Sequence, residues 1–193
     1  MRDRGVSIHI APLTYIVFAF CIVLLPFRWI AAWVISVTIH EFGHLVACRL
    51  CGARKYDIKI LPHGMKISTE GLSNKKQLIS SLAGPFAGLV ILLFAKFAPL
   101  IAMFSSILSV FNLLPIANSD GYHALQCLLF LFISPKKADG VSRIADIVSR
   151  VLLCCVVLYI SWILCWPAGI IFCGLLMLRI KRNPCKEATI QVQ

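Results

Sequence analysis

Long apolar runs separated by short basic segments leave this chain few folds to choose from. Hydrocarbon offers no water to a free backbone N–H or C=O, so a run that crosses a bilayer must close its hydrogen bonds within itself, as a helix. Of 193 residues, 60% are hydrophobic and 14% charged, with a mean hydropathy of +0.88, which excludes an ordinary soluble domain. The formal net charge is +11, yet the basic residues gather between and after the apolar runs. Positive-inside topology accounts for them, and nucleic acid is excluded as a partner. The expectation is an all-α polytopic membrane protein of about six transmembrane helices, one domain over residues 1–193 with its core at about 29–133.

The first expected span, Pro12 to Leu25, follows a short basic amino terminus. It resembles the start of a signal peptide but has no small-residue cleavage site, so it is read as a retained helix. The second runs from about Trp29 to Leu50 and ends among Arg49, Arg54, Lys55 and Lys59, which marks that end as cytoplasmic. From Tyr56 to Thr69, β-branched and charged residues alternate about a Pro-His-Gly turn. This predicts a small hairpin on the membrane surface, whose free edge would accept an extended substrate as an added strand. The third span, about Gln77 to Ala95, carries Ala83, Gly84, Ala87 and Gly88, small residues that let a neighbouring helix approach closely.

Pro99 to Ile133 covers 35 residues, too many for one straight span, and it is interrupted by Asn112, Pro115, Asn118, Ser119, Asp120 and Gly121. Irregular backbone at membrane depth persists only where protein or a water-filled cavity satisfies it, so the break marks a site. Counted as one broken fourth span, it leaves the basic segment Lys136 to Arg150 cytoplasmic. Spans at about Val151 to Cys165 and Pro167 to Leu178 follow, with both termini in the cytoplasm. Nine cysteines show no framework spacing, and the Cys48/Cys51 pair has no second pair to complete a zinc site, so packing is the reading for all of them.

The second span contains HEFGH. His40 and His44, four apart, share one helix face at the spacing that lets both imidazoles reach a single zinc ion. Glu41 between them can take a proton from an attacking water. Titratable groups are costly in a membrane helix, so three in one apolar run point to chemistry. His40 precedes Arg49 by nine residues, which puts the site roughly 14 Å or less from the cytoplasmic end at 1.5 Å per residue. A catalytic zinc takes a third protein ligand and keeps one position open. Asp120 is the acid in the interrupted apolar stretch, whereas Asp3, Asp57, Glu70, Asp139, Asp146 and Glu187 fall in terminal or loop segments. His123, three residues on, is a candidate to orient a ligand or replace one.

Together, HEFGH at His40–His44 and NLLPIANSDG at Asn112–Gly121 resemble the paired signature of the site-2 intramembrane metalloproteases (M50). SIHIAPL, IKILPHG and SLAGP are further similar to the subgroup that includes stage IV sporulation protein FB, which processes a membrane-associated sigma-factor precursor. The resemblance covers about Ser7 to Leu125. It implies one zinc held by His40, His44 and Asp120, with Glu41 as general base and acid. It further implies that Asn112 positions substrate or stabilises the oxyanion, with Pro115 and Gly121 shaping the break on the substrate-binding side. The partners implied are a membrane-associated protein substrate, the lipid bilayer and a regulatory membrane protein. The location implied is a bacterial cytoplasmic membrane, including the one that surrounds a forespore.

The chain departs from the family pattern at Tyr122 and His123, where many members have Gly-Arg, and at Gly88, where asparagine is frequent. No room for a CBS or PDZ domain is expected after the last span. The leading functional reading is an intramembrane zinc endopeptidase engaged in regulated proteolysis of a sigma-factor precursor or anti-sigma factor. Two alternatives are a catalytically inactive membrane scaffold or chaperone and a metal transporter.

Overall fold

The computed structural model describes residues 6–10, 25–53, 55–61, 64–70, 72–163 and 173. It is mostly helical. Helix α1 is Phe27–Leu50, α2 is Asn74–Val90 with a 3-10 extension at Ile91–Phe94, α3 is Pro99–Leu113, α4 is Asp120–Leu129 and α5 is Pro135–Ile163. Three are long and apolar enough to cross a membrane: α1, α2 with its extension, and α5. The spans expected at Pro12 to Leu25 and Pro167 to Leu178 lie outside the described residues, apart from Leu25 and Cys173.

Helix α1 has 24 residues, about 36 Å at 1.5 Å per residue, enough for a hydrocarbon core of about 30 Å. Its β-branched residues are no handicap there, because packing and internal hydrogen bonding outweigh propensity in lipid. It stops at a Schellman motif: Gly52 takes φ +80°, its N–H donates to Arg49 O, and Ala53 N–H donates to Cys48 O. Along one face Ala32, Ser36, His40, His44 and Cys48 are buried at a spacing of four, while Phe42 and Leu50 on other faces are exposed as lipid-facing residues would be.

Helix α1 packs on α2 and α3, α2 also packs on α3 and α4, and α5 packs on α4. The α1–α2 approach is close. A Cβ at Gly43 would meet Ala83 O at 2.7 Å and Ala87 Cβ at 2.8 Å, so the small-residue run of α2 is what lets the two backbones touch. On the other side, the Ser36 hydroxyl lies 3.1 Å from Ile101 O and ties α1 to α3.

A hairpin between α1 and α2 and a strand ahead of α1 form one sheet of order β1-β2-β3. Strands β2 (Lys55–Leu61) and β3 (Gly64–Glu70) pair antiparallel from Lys55↔Glu70 to Leu61↔Gly64. Strand β1 (Val6–Ile10) pairs parallel with β2, from Val6↔Tyr56 to Ile10↔Ile60. The sequence predicts no strand at β1, because five residues ahead of an apolar run carry too short an alternation.

Two further boundaries differ from expectation. The break in the fourth span is narrower than Asn112 to Gly121: α3 runs on to Leu113 and α4 starts at Asp120, leaving six irregular residues. The segment Lys136 to Arg150 is the first half of α5, a helix of 29 residues, and not a loop. Its charges do not interrupt the helix because the residues buried along it, Ala138, Ser142, Arg150 and Cys154, fall at multiples of four, while Lys136, Lys137 and Arg143 point outward.

Candidate metal centre

The HEFGH helix and the α3–α4 break meet inside the bundle. His40 Nε2 lies 2.9 Å from Asp120 Oδ2, His44 Nε2 lies 3.2 Å from the same oxygen, and the two Nε2 atoms are 3.2 Å apart. The histidines come from adjacent turns of α1, and their rings stand edge to face at 80°. Both are buried, as is Glu41 between them. Asp120 keeps 23% of its side chain exposed, so the cluster is open on its side and closed on the α1 side.

The donor set fits a metal ion. The Nδ1–H of His44 donates to Ser80 O of α2 at 2.7 Å, which leaves a lone pair on Nε2. That nitrogen faces a carboxylate oxygen 3.2 Å away, a pairing that either a proton on the imidazole or a bound cation makes favourable. Separations of 2.9 to 3.2 Å are close to the edge of a tetrahedral zinc site, about 3.3 Å for bonds of about 2.0–2.1 Å. His40, His44 and Asp120 form the group of metal-ligating side chains among the described residues. His123 does not join it; its ring stands edge-on to Tyr122 with centroids 6.2 Å apart.

The remaining residues singled out from the sequence surround the cluster. Asn112, in the last turn of α3, places Nδ2 3.3 Å from His40 Nε2. Pro115 falls in the irregular stretch, after the end of α3. Gly121 is buried in the first turn of α4, where a Cβ would strike the carbonyl of Leu113, so the start of α4 lies directly on the end of α3.

The path that delivers Asp120 is held by local bonds. Ser119 caps α4: its Oγ donates to Leu114 O at 2.5 Å and accepts from Tyr122 N–H at 3.2 Å. Ser119 N–H donates to Ile116 O at 2.9 Å, and Asn118 between them takes φ +73°, in the left-handed region that asparagine tolerates better than most residues. Asp120 is therefore the first residue of a capped helix.

Sequence reasoning missed three contributors. Gly84 of the AGPFAG run serves the site as well as the helix interface: a Cβ there would fall within the His44 imidazole, at 2.5 Å from Cε1 and 2.6 Å from Cδ2. Ser80 supplies the carbonyl that orients His44, in the turn before Pro85. Spacing carries a signal for both, since Ser80, Gly84 and Gly88 repeat every four residues on one face of α2. Asp146, expected in a loop, sits on α5 and accepts a hydrogen bond from Ala117 N–H in the break.

A model of Peptidase M50B-like proteins matches residues 13–133. No curated protein matches the chain. Among solved structures, the site-2 protease from Methanocaldococcus jannaschii is similar with a TM-score of 0.60, over 95% of this chain and 94% of that one. The identity is 20%, so this likeness speaks for a common fold. With that family model matching more than half of its length, the chain belongs to the Peptidase M50B-like family.

Proposed function

We propose that this integral membrane protein is a zinc endopeptidase that hydrolyses a peptide bond of a membrane-associated protein, within the membrane or next to its cytoplasmic face. The observation that carries the reading is the convergence of His40 Nε2, His44 Nε2 and Asp120 Oδ2 within 4.8 Å of one another, in a bundle of apolar helices. Such a set has a cost in lipid that packing alone does not repay.

His40, His44 and Asp120 would hold the ion. Zinc, when bound, supplies polarisation of the scissile carbonyl and acidifies a water. Glu41 would take a proton from an attacking water as the water oxygen bonds to the carbonyl carbon, and later pass the proton to the departing amine nitrogen as the C–N bond breaks. Asn112, whose Nδ2 lies 3.3 Å from His40 Nε2, would donate to the developing oxyanion. Pro115 and Gly121 set the shape of the break beside which substrate lies. An extended substrate segment can add to β3, which pairs on one side with β2 and has no strand on its other edge among the described residues.

By likeness of sequence to the sporulation subgroup, the substrate class is a sigma-factor precursor or an anti-sigma factor, met at the cytoplasmic side of a bacterial membrane. Purified protein in detergent should bind one zinc per chain and cleave a membrane-anchored precursor. Cleavage that survives Glu41→Gln rules out this mechanism, and cellular function that survives it while cleavage stops favours the scaffold reading.

A further inference from the structure

Asp120 meets the histidines only if the six residues between α3 and α4 keep one irregular path. Most bonds along that path are internal to it, but one comes from another helix. Ala117 N–H, three residues before Asp120, donates to Asp146 Oδ1 of α5 at 2.7 Å, and the same oxygen accepts from Arg150 Nε at 2.7 Å. Arg150 is 2% exposed and the Asp146 side chain 13%, so the pair faces inward from a span that otherwise presents apolar side chains outward.

A charged pair buried there is expensive, and apolar residues of similar size would pack the α4–α5 contact as well or better. An irregular backbone amide at membrane depth, however, must have an acceptor, and a carboxylate is the strongest one available. Arg150 balances that carboxylate and, one turn away on the same helix, fixes the direction of Oδ1.

We infer that Asp146, held by Arg150, is a positioning residue that fixes the α3–α4 turn so that Asp120 reaches the metal. It touches neither metal nor substrate and acts through Ala117. The inference rests on the zinc reading above.

The test uses the full chain in detergent, loaded with cobalt(II) in place of zinc, in wild type and in Asp146→Leu, Asp146→Asn and Arg150→Gln variants. Asp146→Leu should weaken metal binding by about 10–100-fold, as loss of a group that orients a ligand does elsewhere. It should also alter the visible cobalt band, which reports the ligand set. Asp146→Asn keeps an acceptor for Ala117 and should lose less, with Arg150→Gln close to it. A merely structural role would lower the melting temperature while leaving the cobalt band and affinity unchanged, and that result overturns the inference. Should Asp146→Leu fail to fold, Asp146→Asn and Arg150→Gln decide by the same two readings. Wild-type protein that takes up no cobalt overturns the metal centre itself, a result distinct from variants that bind it as wild type does.

Discussion

The two halves of the metal centre are built in opposite ways. Helix α1 delivers His40 and His44 by regular geometry: any unbroken helix places residues four apart on one face, and the 24-residue span needs no special bond to do so. The α3–α4 turn delivers Asp120 by irregular geometry, through a left-handed Asn118, a capping Ser119, a Gly121 pressed on a carbonyl and a bond from Asp146. A regular element places its ligands without bonds from elsewhere and, away from them and from the close α1–α2 contact at Gly43, tolerates change, whereas an irregular one depends on residues that never touch the metal.

The largest effects should come from the three ligands and from the glutamate of the α1 motif. Glu41→Gln should reduce cleavage by about 10²–10⁴-fold, the usual worth of a general acid and base, with zinc content unchanged by metal analysis. His44→Ala should remove the metal as well as the activity, as should Asp120→Ala. Zinc lost from Glu41→Gln would mean that the glutamate belongs to the ligand set, and the division of roles would fail.

Next come the two glycines, one against each half. Gly121→Ala drives a Cβ into the Leu113 carbonyl, a backbone atom that cannot rotate away, with Leu114 O at 2.9 Å behind it. Gly84→Ala meets the imidazole of His44, which can turn only by giving up its bond to Ser80 O. Overpacking of this kind costs about 1–3 kcal/mol. Gly121→Ala should lower both thermal stability and activity. Gly84→Ala should weaken zinc binding more than it lowers the melting temperature, because the strain is released by moving a ligand. Equal effects of the two on zinc affinity would show that the regular half is no more tolerant than the irregular one.

The same contrast decides what is legible in the sequence. Periodicity and apolar length place α1 within two residues of its start, and spacing alone pairs His40 with His44. The break is legible as an interruption, and Asp120 as the acid within it. Prolines, asparagines and glycine gathered in one apolar run cannot continue a helix, and at membrane depth such backbone survives only where protein or water satisfies it. How the break is held is not legible. Asp146 lies 26 residues from Asp120 among charges that read as a loop, and only the four-residue spacing of Ala138, Ser142, Asp146, Arg150 and Cys154 hints at a helix face. Strand β1 is likewise set by its pairing to β2, a partner about 50 residues away that no local pattern reveals.

The smallest effect expected is also the finest probe of the irregular half. Asn118 is the one non-glycine residue with positive φ among the described residues, at +73°. Glycine takes that conformation without a steric cost and alanine does not, the difference being about 1–2 kcal/mol. Asn118→Gly should leave zinc affinity and activity near those of the unmodified protein, while Asn118→Ala should lose about 1 kcal/mol of stability by thermal or denaturant unfolding. The metal supplies the control. If binding at Asp120 helps to hold the turn, added zinc should recover more of the melting temperature of Asn118→Ala than of an Ala substitution at exposed Thr38 on α1, since only the former strains the path that the metal fixes. Equal recovery in both would mean that the turn keeps its shape without help from the metal.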